Sequence, residues 1–257
     1  MAFLDVHEVM KDFGGLRALD GVSVAVEPGQ LISIIGPNGA GKTTLLNLIC
    51  GLFPVSRGEI YLAGQSITGL SSCRIASLGV SRTFQVARLM RDKTLMDNLL
   101  LGFHTRTKSG FLANLFSLPS SRGEERWMRE RARELLSFFG LLEHETELAD
   151  TLPYGRQRLV ELARAIASEP RLLLLDEPAA GLNEEETAGL ARLLKVILTQ
   201  HPSMAIILVE HDMKLVLEVS EKVVVLNFGN KLAEGPPGAV LNDPQVIEAY
   251  LGKQEND

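Results

Sequence analysis

The sequence predicts an α/β fold: a parallel sheet with helical crossovers, an antiparallel β-rich segment at the N-terminus and an α-helical lobe inserted between two parts of the core. Three observations predict it. Strand-length apolar runs alternate with helix-length amphipathic runs beyond Gln157, the pattern of parallel pairing with right-handed crossovers. The N-terminal segment instead carries short alternating or β-branched runs, and residues from about Thr94 to Thr151 have helical period. A glycine-rich run, Gly36-Pro37-Asn38-Gly39-Ala40-Gly41-Lys42-Thr43, lies between the apolar strand Leu31–Ile35 and an apolar helix, Thr44–Leu48.

Taken in order, Phe3–Val9 alternates apolar and polar residues, Val22–Val26 is short and β-branched, and Pro28-Gly29 turns the chain into Leu31–Ile35. Phe13 is expected on the loop between the first two strands. Gly58–Ala63 and Val80–Phe84 read as further strands, the latter ending at Gln85. In the helical lobe Leu95–Leu101 is largely apolar, Glu124–Phe139 is amphipathic and dense in Arg and Glu, and Gly140 is placed to stop that helix. Between them, Phe111, Leu112, Leu115, Phe116 and Leu118 follow the basic Arg106 and Lys108; this stretch is either a helix packed on its own lobe or a docking surface for a membrane partner. The chain then resumes with helix Gln157–Ala167, strand Arg171–Asp176, helix Glu184–Thr199, strand Ala205–Glu210, helix Met213–Val219 and strand Lys222–Asn227. Gly229-Asn230 marks a hairpin turn, and a short helical tail follows Asp243-Pro244. The expected organisation is residues 1–93 as β subdomain and first part of the core, 94–155 as helical subdomain, and 156–257 as the second part of the core with its tail.

With 257 residues, an apolar share of 46% and a charged share of 23%, the chain is of ordinary globular composition, and its net charge of −6 argues against coating nucleic acid through bulk charge. Cys50 and Cys73 lack C-x-x-C spacing, so neither a disulfide scaffold nor a zinc site is expected, and both read as inert core or near-core thiols. Asp5, His7 and Glu8 interrupt any signal-peptide pattern, and no run approaches the ~20 apolar residues of a membrane span. A cytosolic chain, held at a membrane only through other chains, is the expectation.

The glycine-rich run is a phosphate cradle. Its glycines let successive backbone N–H groups turn inward on a polyphosphate, and the helix N-terminus adds partial positive charge at the same point. Lys42 is expected to reach the β- and γ-phosphates, the Thr43 hydroxyl to ligate Mg²⁺, and Thr44 to open the helix beside them, making a nucleoside triphosphate the expected ligand. Leu172–Leu175 is an apolar strand ending in Asp176 and Glu177 at the edge where open α/β sheets bind ligands. Adjacent strand residues point opposite ways, so the two acids divide the work: Asp176 for Mg²⁺, directly or through water, and Glu177 as general base toward the attacking water. The alternative is that both merely cap the next helix.

These residues, together with Gln85, Leu152-Pro153-Tyr154-Gly155-Arg156-Gln157 and His211, stand in the order of the ATP-binding cassette (ABC) transporter ATPases, which the chain resembles over nearly its whole length. Within that superfamily it is most similar to the branched-chain amino acid importer ATPases, through Pro178–Asn183, Glu210–Lys214 and the tail Val246–Gly252. The resemblance implies a phosphate-loop NTPase core that binds and hydrolyses ATP with Mg²⁺. It gives Phe13 the adenine-stacking role, Gln85 a Mg²⁺-sensing role beside the membrane domain, and His211 a γ-phosphate contact. It also implies that Pro153, Tyr154, Gly155 and Arg156 form a signature completing the ATP site of a second ATP-binding subunit, in a homo- or heterodimer. The further partners it implies are transmembrane permease subunits and, indirectly, a solute-binding protein, with this chain peripheral on the inner face of the membrane.

Two departures stand out against the usual Leu-Ser-Gly-Gly-Gln signature and the aspartate common after the carboxylates. Pro153 stands where serine would, removing a hydroxyl and a backbone N–H, Arg156 stands where glutamine would, and Asn183 replaces the aspartate. Pro153 motivates a rival reading, a weakly active partner that binds ATP as a dimerisation clamp. A GTPase lacks its N-K-x-D run, since Asn230-Lys231 is followed by Leu232-Ala233, and nucleic-acid-bound cassettes need room this chain lacks. Leucine-type amino acids are the solute the resemblance favours, with urea or short amides as alternatives.

Overall fold

The computed structural model describes residues 2–83, 89–103 and 119–251. Its internal contacts divide the chain into two units, residues 1–82 with 171–257, and residues 83–170.

The first unit holds two sheets. The antiparallel one has the order β2-β1-β4-β5, with β1 Leu4–Phe13, β2 Leu16–Val26, β4 Arg57–Leu62 and β5 Gln65–Ser66. The other has the order β10-β9-β3-β8-β7-β6, with β3 Leu31–Ile35, β6 Val80–Arg82, β7 Leu172–Asp176, β8 Ala205–Val209, β9 Lys222–Asn227 and β10 Asn230–Gly235. All its pairs are parallel except the β9–β10 hairpin. Every residue of β3, β7 and β8 is buried, as expected of strands covered on both faces. Isoleucine, leucine and valine side chains from β1, β2, β3, β7 and β8 meet those of helix α1 (Lys42–Ile49) in one core, each fully buried side chain stabilising by roughly 1.5–3 kcal/mol. The remaining helices of this unit are α2 (Ser72–Ser77), α6 (Glu184–Gln200), α7 (Met213–Val219), α8 (Pro237–Val240) and α9 (Pro244–Leu251). Val246 of α9 is buried with Ile35, Val216, Val223 and Val225, which docks the tail beneath the end of β3.

The second unit is helical: α3 (Leu95–Gly102), α4 (Pro119–Phe138) and α5 (Tyr154–Ala167), with 3-10 turns at Leu142–His144 and Ala149–Thr151. Thr94 caps α3 by accepting the Asp97 N–H at 3.1 Å. The buried Asn98 staples the entry to α3, accepting the Met90 N–H at 2.9 Å and donating to the Met90 and Thr94 carbonyls at 3.0 Å each. After α4, Gly140 adopts φ +67° while the Leu141 N–H reaches the Leu136 carbonyl and the Gly140 N–H that of Ser137, the hydrogen-bond pattern of a Schellman stop. Among the described residues no helix is long and apolar enough to cross a membrane.

Three expectations are corrected. β1 runs on to Phe13, so Phe13 ends the strand, paired with Leu16, instead of lying on a loop. The polar Lys11 and Asp12 disguise this extension; Lys11 is buried because its ammonium folds back onto the Pro54 carbonyl at 2.9 Å. Helix α5 starts at Tyr154, three residues earlier than its apolar period indicates, because Pro153 is preset for the position before a helix. Cys73 is exposed on α2 and is no core thiol, whereas Cys50 is half-buried, its thiol pushed up to about 11 by burial. Phe84, Gln85 and the apolar stretch Phe111–Leu118 lie outside the described residues.

Candidate nucleotide site

Parallel pairing brings the C-terminal ends of β3, β8 and β7 side by side, since β3 pairs with β8 and Asp176 of β7 pairs with Val209 of β8. The glycine-rich loop leaves β3, the pair Asp176-Glu177 ends β7, and Glu210-His211 follows β8. One short sheet edge therefore gathers residues from both ends of the chain.

The loop needs its glycines for two physical reasons. At Gly36 (φ +149°) a Cβ would collide with the Leu226 carbonyl oxygen and lie 3.2 Å from the Ala40 Cβ. At Gly41 (φ +104°), the residue capping α1, a Cβ would sit 2.6 Å from Leu19 Cδ2 and 2.8 Å from the Ala18 carbonyl oxygen. The loop is thus wedged between β2 and the β9–β10 hairpin, whose Gly229 donates to the Ala40 carbonyl at 3.1 Å. Pro37, Asn38 and Gly39 form its outer arch, closed by the Ala40 N–H to the Pro37 carbonyl at 3.2 Å. Lys42 lies across the arch, its ammonium donating to the Gly36 carbonyl at 2.6 Å and the Pro37 carbonyl at 3.0 Å. Burial lowers its pKa, and the carboxylates of Glu177 and Asp176 oppose the shift, so these three residues share one electrostatic neighbourhood. Thr43 is exposed on the first turn of α1 and Thr44 is half-buried behind it.

Asp176 is buried and divided in its bonding. Its Oδ2 accepts from Arg82 Nη2 at 2.7 Å, while Oδ1 has no hydrogen-bond partner among the described residues. A buried carboxylate oxygen without a donor at the end of β7, and an exposed threonine hydroxyl on the helix that follows β3, are donors of the kind that suit Mg²⁺ with its retained waters. Glu177, half-buried, has φ +49°, a left-handed conformation locked by its N–H to the Val209 carbonyl at 2.9 Å and its own carbonyl to the Ala180 N–H at 3.1 Å. The helix-capping alternative for the acids is not realised. Asn183 caps α6, accepting from the Glu186 N–H, while Glu186 accepts in return from the Asn183 N–H, each at 2.9 Å.

Glu210, to which sequence reasoning gave no role of its own, turns out to brace the site. Fully buried, it accepts the Ala179 N–H at 2.8 Å through Oε1 and the His211 N–H at 3.0 Å through Oε2, tying the turn after β7 to the turn after β8. Burial raises its pKa, and the three backbone donors pull against that rise. The signal was legible: a carboxylate directly after an all-apolar strand and directly before His211. The His211 imidazole itself is largely exposed, its Nδ1 3.8 Å from Glu210 Oε2. Tyr250 of α9 was also missed; burial raises the pKa of its hydroxyl and the backbone of Gly36, the first residue of the loop, opposes the rise.

Phe13, 41% exposed, packs edge-on to Phe53 with centroids 5.3 Å apart, and the Lys11 ammonium lies 4.8 Å from its ring centre. In the helical unit, Pro153 precedes α5 without a side-chain cap, so Tyr154, Gly155 and Arg156 form its first turn, where N–H groups have no acceptor within the helix. Arg156 is engaged by His144 Nε2 at 2.5 Å, and Arg158 lies 5.1 Å from the Tyr154 ring.

A family model described as "ABC transporter" matches residues 19–180, and one described as "Branched-chain amino acid ATP-binding cassette transporter" matches residues 230–256. The high-affinity branched-chain amino acid transport ATP-binding protein BraF of Pseudomonas aeruginosa is 45% identical over 250 residues, which covers 97% of this chain and 98% of that protein. The corresponding protein LivG of Escherichia coli K12 is 44% identical over the same shares. Among solved structures, the ADP conformation of an ATP-binding cassette of an ABC transporter superposes with a TM-score of 0.84 at 30% identity, covering 98% of this chain and 100% of that one.

Proposed function

The chain belongs to the ATP-binding cassette transporter family, and from that premise we propose that it hydrolyses Mg-ATP at the loop Gly36–Thr43 to energise an importer of branched-chain or other small amino acids. The observation that carries this reading is the convergence at one sheet edge of the loop, Lys42, the half-bonded Asp176, Glu177 and the braced His211.

In this reading the loop N–H groups and Lys42 hold the phosphates, with Lys42 exchanging its two carbonyl partners for phosphate oxygens. Thr43 and Asp176, joined by Gln85, would hold Mg²⁺, which neutralises charge on the β- and γ-phosphate oxygens. Glu177 orients and deprotonates the attacking water, His211 contacts the γ-phosphate, and Phe13 offers a face to adenine. The first-turn N–H groups of Tyr154, Gly155 and Arg156 cap the nucleotide of a second ATP-binding subunit in a head-to-tail pair. Residues 94–155 meet the permease, which holds the chain at the inner face of the membrane, and a solute-binding protein delivers the amino acid outside.

The test is ATP hydrolysis by the purified chain with Mg²⁺, wild type beside Glu177→Gln, with light scattering to follow association. Turnover by the wild type and an ATP-trapped dimer of the variant are expected. Equal turnover by both proteins would remove Glu177 from the mechanism. Pro153 favours a second reading, in which this chain pairs with a different cassette and its signature completes a weak site. A Pro153→Ser chain that hydrolyses ATP no faster in that pair counts against it.

A further inference from the structure

Arg82 is the last residue of β6, with a side chain only 7% exposed, and none of the roles assigned above uses it. Its guanidinium is a fork between two elements. Nη2 donates to Asp176 Oδ2 at 2.7 Å, and Nη1 donates to Asn47 Oδ1 on α1 at 2.6 Å. Both partners of the ion pair are out of water, a costly arrangement that an apolar pair of similar volume would match for stability alone. A planar fork holding two acceptors fixes their separation and their orientation, which a point-charge ammonium does not. Here the acceptors belong to the helix that starts at the phosphate loop and to the strand that ends in the carboxylates. The consequence is visible at Asp176: one oxygen is occupied and the other, Oδ1, is left without a hydrogen-bond donor among the described residues.

We propose that Arg82 is a positioning residue for the metal: by occupying Oδ2 it turns Asp176 so that Oδ1 is presented to Mg²⁺ or its water, and by holding Asn47 it sets that carboxylate against the helix bearing Thr43. The proposal rests on the Mg-ATP reading above. It makes a prediction of sign, because an arginine beside a metal site has two opposed effects. As a like charge it repels Mg²⁺, so an arginine that only neutralised Asp176 would, when removed, leave the metal bound more tightly. As a positioning group it holds the ligand in place, and its removal weakens the metal.

The experiment follows binding of a fluorescent ATP analogue to the full chain, first without metal and then along a MgCl₂ titration, for wild type, Arg82→Met, Arg82→Lys and Asn47→Ala, each checked for folding by circular dichroism. Mg²⁺ is expected to tighten binding in the wild type. In Arg82→Met metal-free binding stays within about twofold, while the half-saturating Mg²⁺ rises by about tenfold or more, the usual effect of losing a group that orients a metal ligand. Arg82→Lys recovers part of the shift by keeping the charge on Oδ2, and Asn47→Ala, which leaves the ion pair intact, shifts the midpoint in the same direction by less. An unchanged midpoint in Arg82→Met, or one displaced to lower Mg²⁺, overturns the proposal. Should Arg82→Met fail to fold, an unshifted midpoint in both Arg82→Lys and Asn47→Ala overturns it equally. A wild-type chain that binds no nucleotide defeats the Mg-ATP reading itself, a failure distinct from that of Arg82.

Discussion

Glu177 is held at φ +49°, in a region where an L-residue suffers contact between its Cβ and its own backbone, and that strain can be measured. The informative comparison is between Glu177→Ala and Glu177→Gly. Both variants lose the carboxylate together with every contact it makes, so their difference isolates the backbone. The left-handed conformation costs a residue with a Cβ about 1–2 kcal/mol. Glycine escapes that cost but loses more chain entropy on folding, roughly 0.5–1 kcal/mol relative to alanine. The net expectation is that the Glu177→Gly variant is about 0.5–1 kcal/mol more stable than the Glu177→Ala variant, the reverse of the order at an ordinary position. For a chain of this size that corresponds to a melting temperature higher by about 1–4 °C. The assay is thermal unfolding of the nucleotide-free variants, followed by circular dichroism in one buffer. If the alanine variant melts at or above the glycine variant, the backbone at this position is not strained and the argument fails. Both variants should lose turnover by about 10²–10⁴-fold, the usual contribution of a general base, whatever the order of their stabilities.

Two other expectations concern Glu210 and Phe13. Burial raises the pKa of Glu210 in the folded chain, so its contribution to stability is complete below the ordinary glutamate value near ~4.3 and is lost as pH rises through the raised value. The neutral Glu210→Gln variant lacks this dependence, so wild type minus variant stability should fall as pH increases above the ordinary glutamate value; thermal melts that run parallel as pH rises would contradict it. Truncating the partly exposed Phe13 to alanine should weaken ATP binding by about 1–3 kcal/mol, the worth of one base–aromatic stack, with Phe13→Tyr close to wild type. Calorimetric titration with ATP decides it, and equal affinities for wild type and Phe13→Ala would place the adenine elsewhere.

What was legible in the sequence is what depends on neighbours along the chain. β3, β9 and α7 have the predicted ends because apolar runs there are bounded by turn or capping residues, such as Asp212, whose carboxylate accepts the Lys214 and Leu215 N–H groups ahead of α7. The places of the glycine-rich loop and of the carboxylate pair were legible for the same reason, since each is a short motif in a strand–loop–helix frame. What escaped depends on partners far away in sequence. Lys11 looks like a solvated strand-breaker until its ammonium meets Pro54, and Arg82 looks like a surface arginine until the fold closes it on Asp176, 94 residues later. Glu210 shows in the sequence as a carboxylate closing an apolar strand, but its donor at Ala179, in another crossover, does not. The acids Asp176 and Glu177 could be assigned opposite tasks from strand alternation, but the left-handed turn at Glu177 that separates them had no sequence mark.

The pairing of β3 also sets an order of events during synthesis. This strand, every residue of it buried, is made near the start of the chain, yet its two neighbours are residues 205–209 and 222–227. A ribosome has translated most of the chain before either edge of Leu31–Ile35 can be covered, and the loop that follows it has no fixed backing until then. For that interval the nascent chain presents an apolar strand with two open edges, the kind of segment that chaperones bind and that pairs with its own copies. Stalled nascent chains ending before Ala205 should therefore stay protease-sensitive at the phosphate loop, and chains extending well past Asn227 should not.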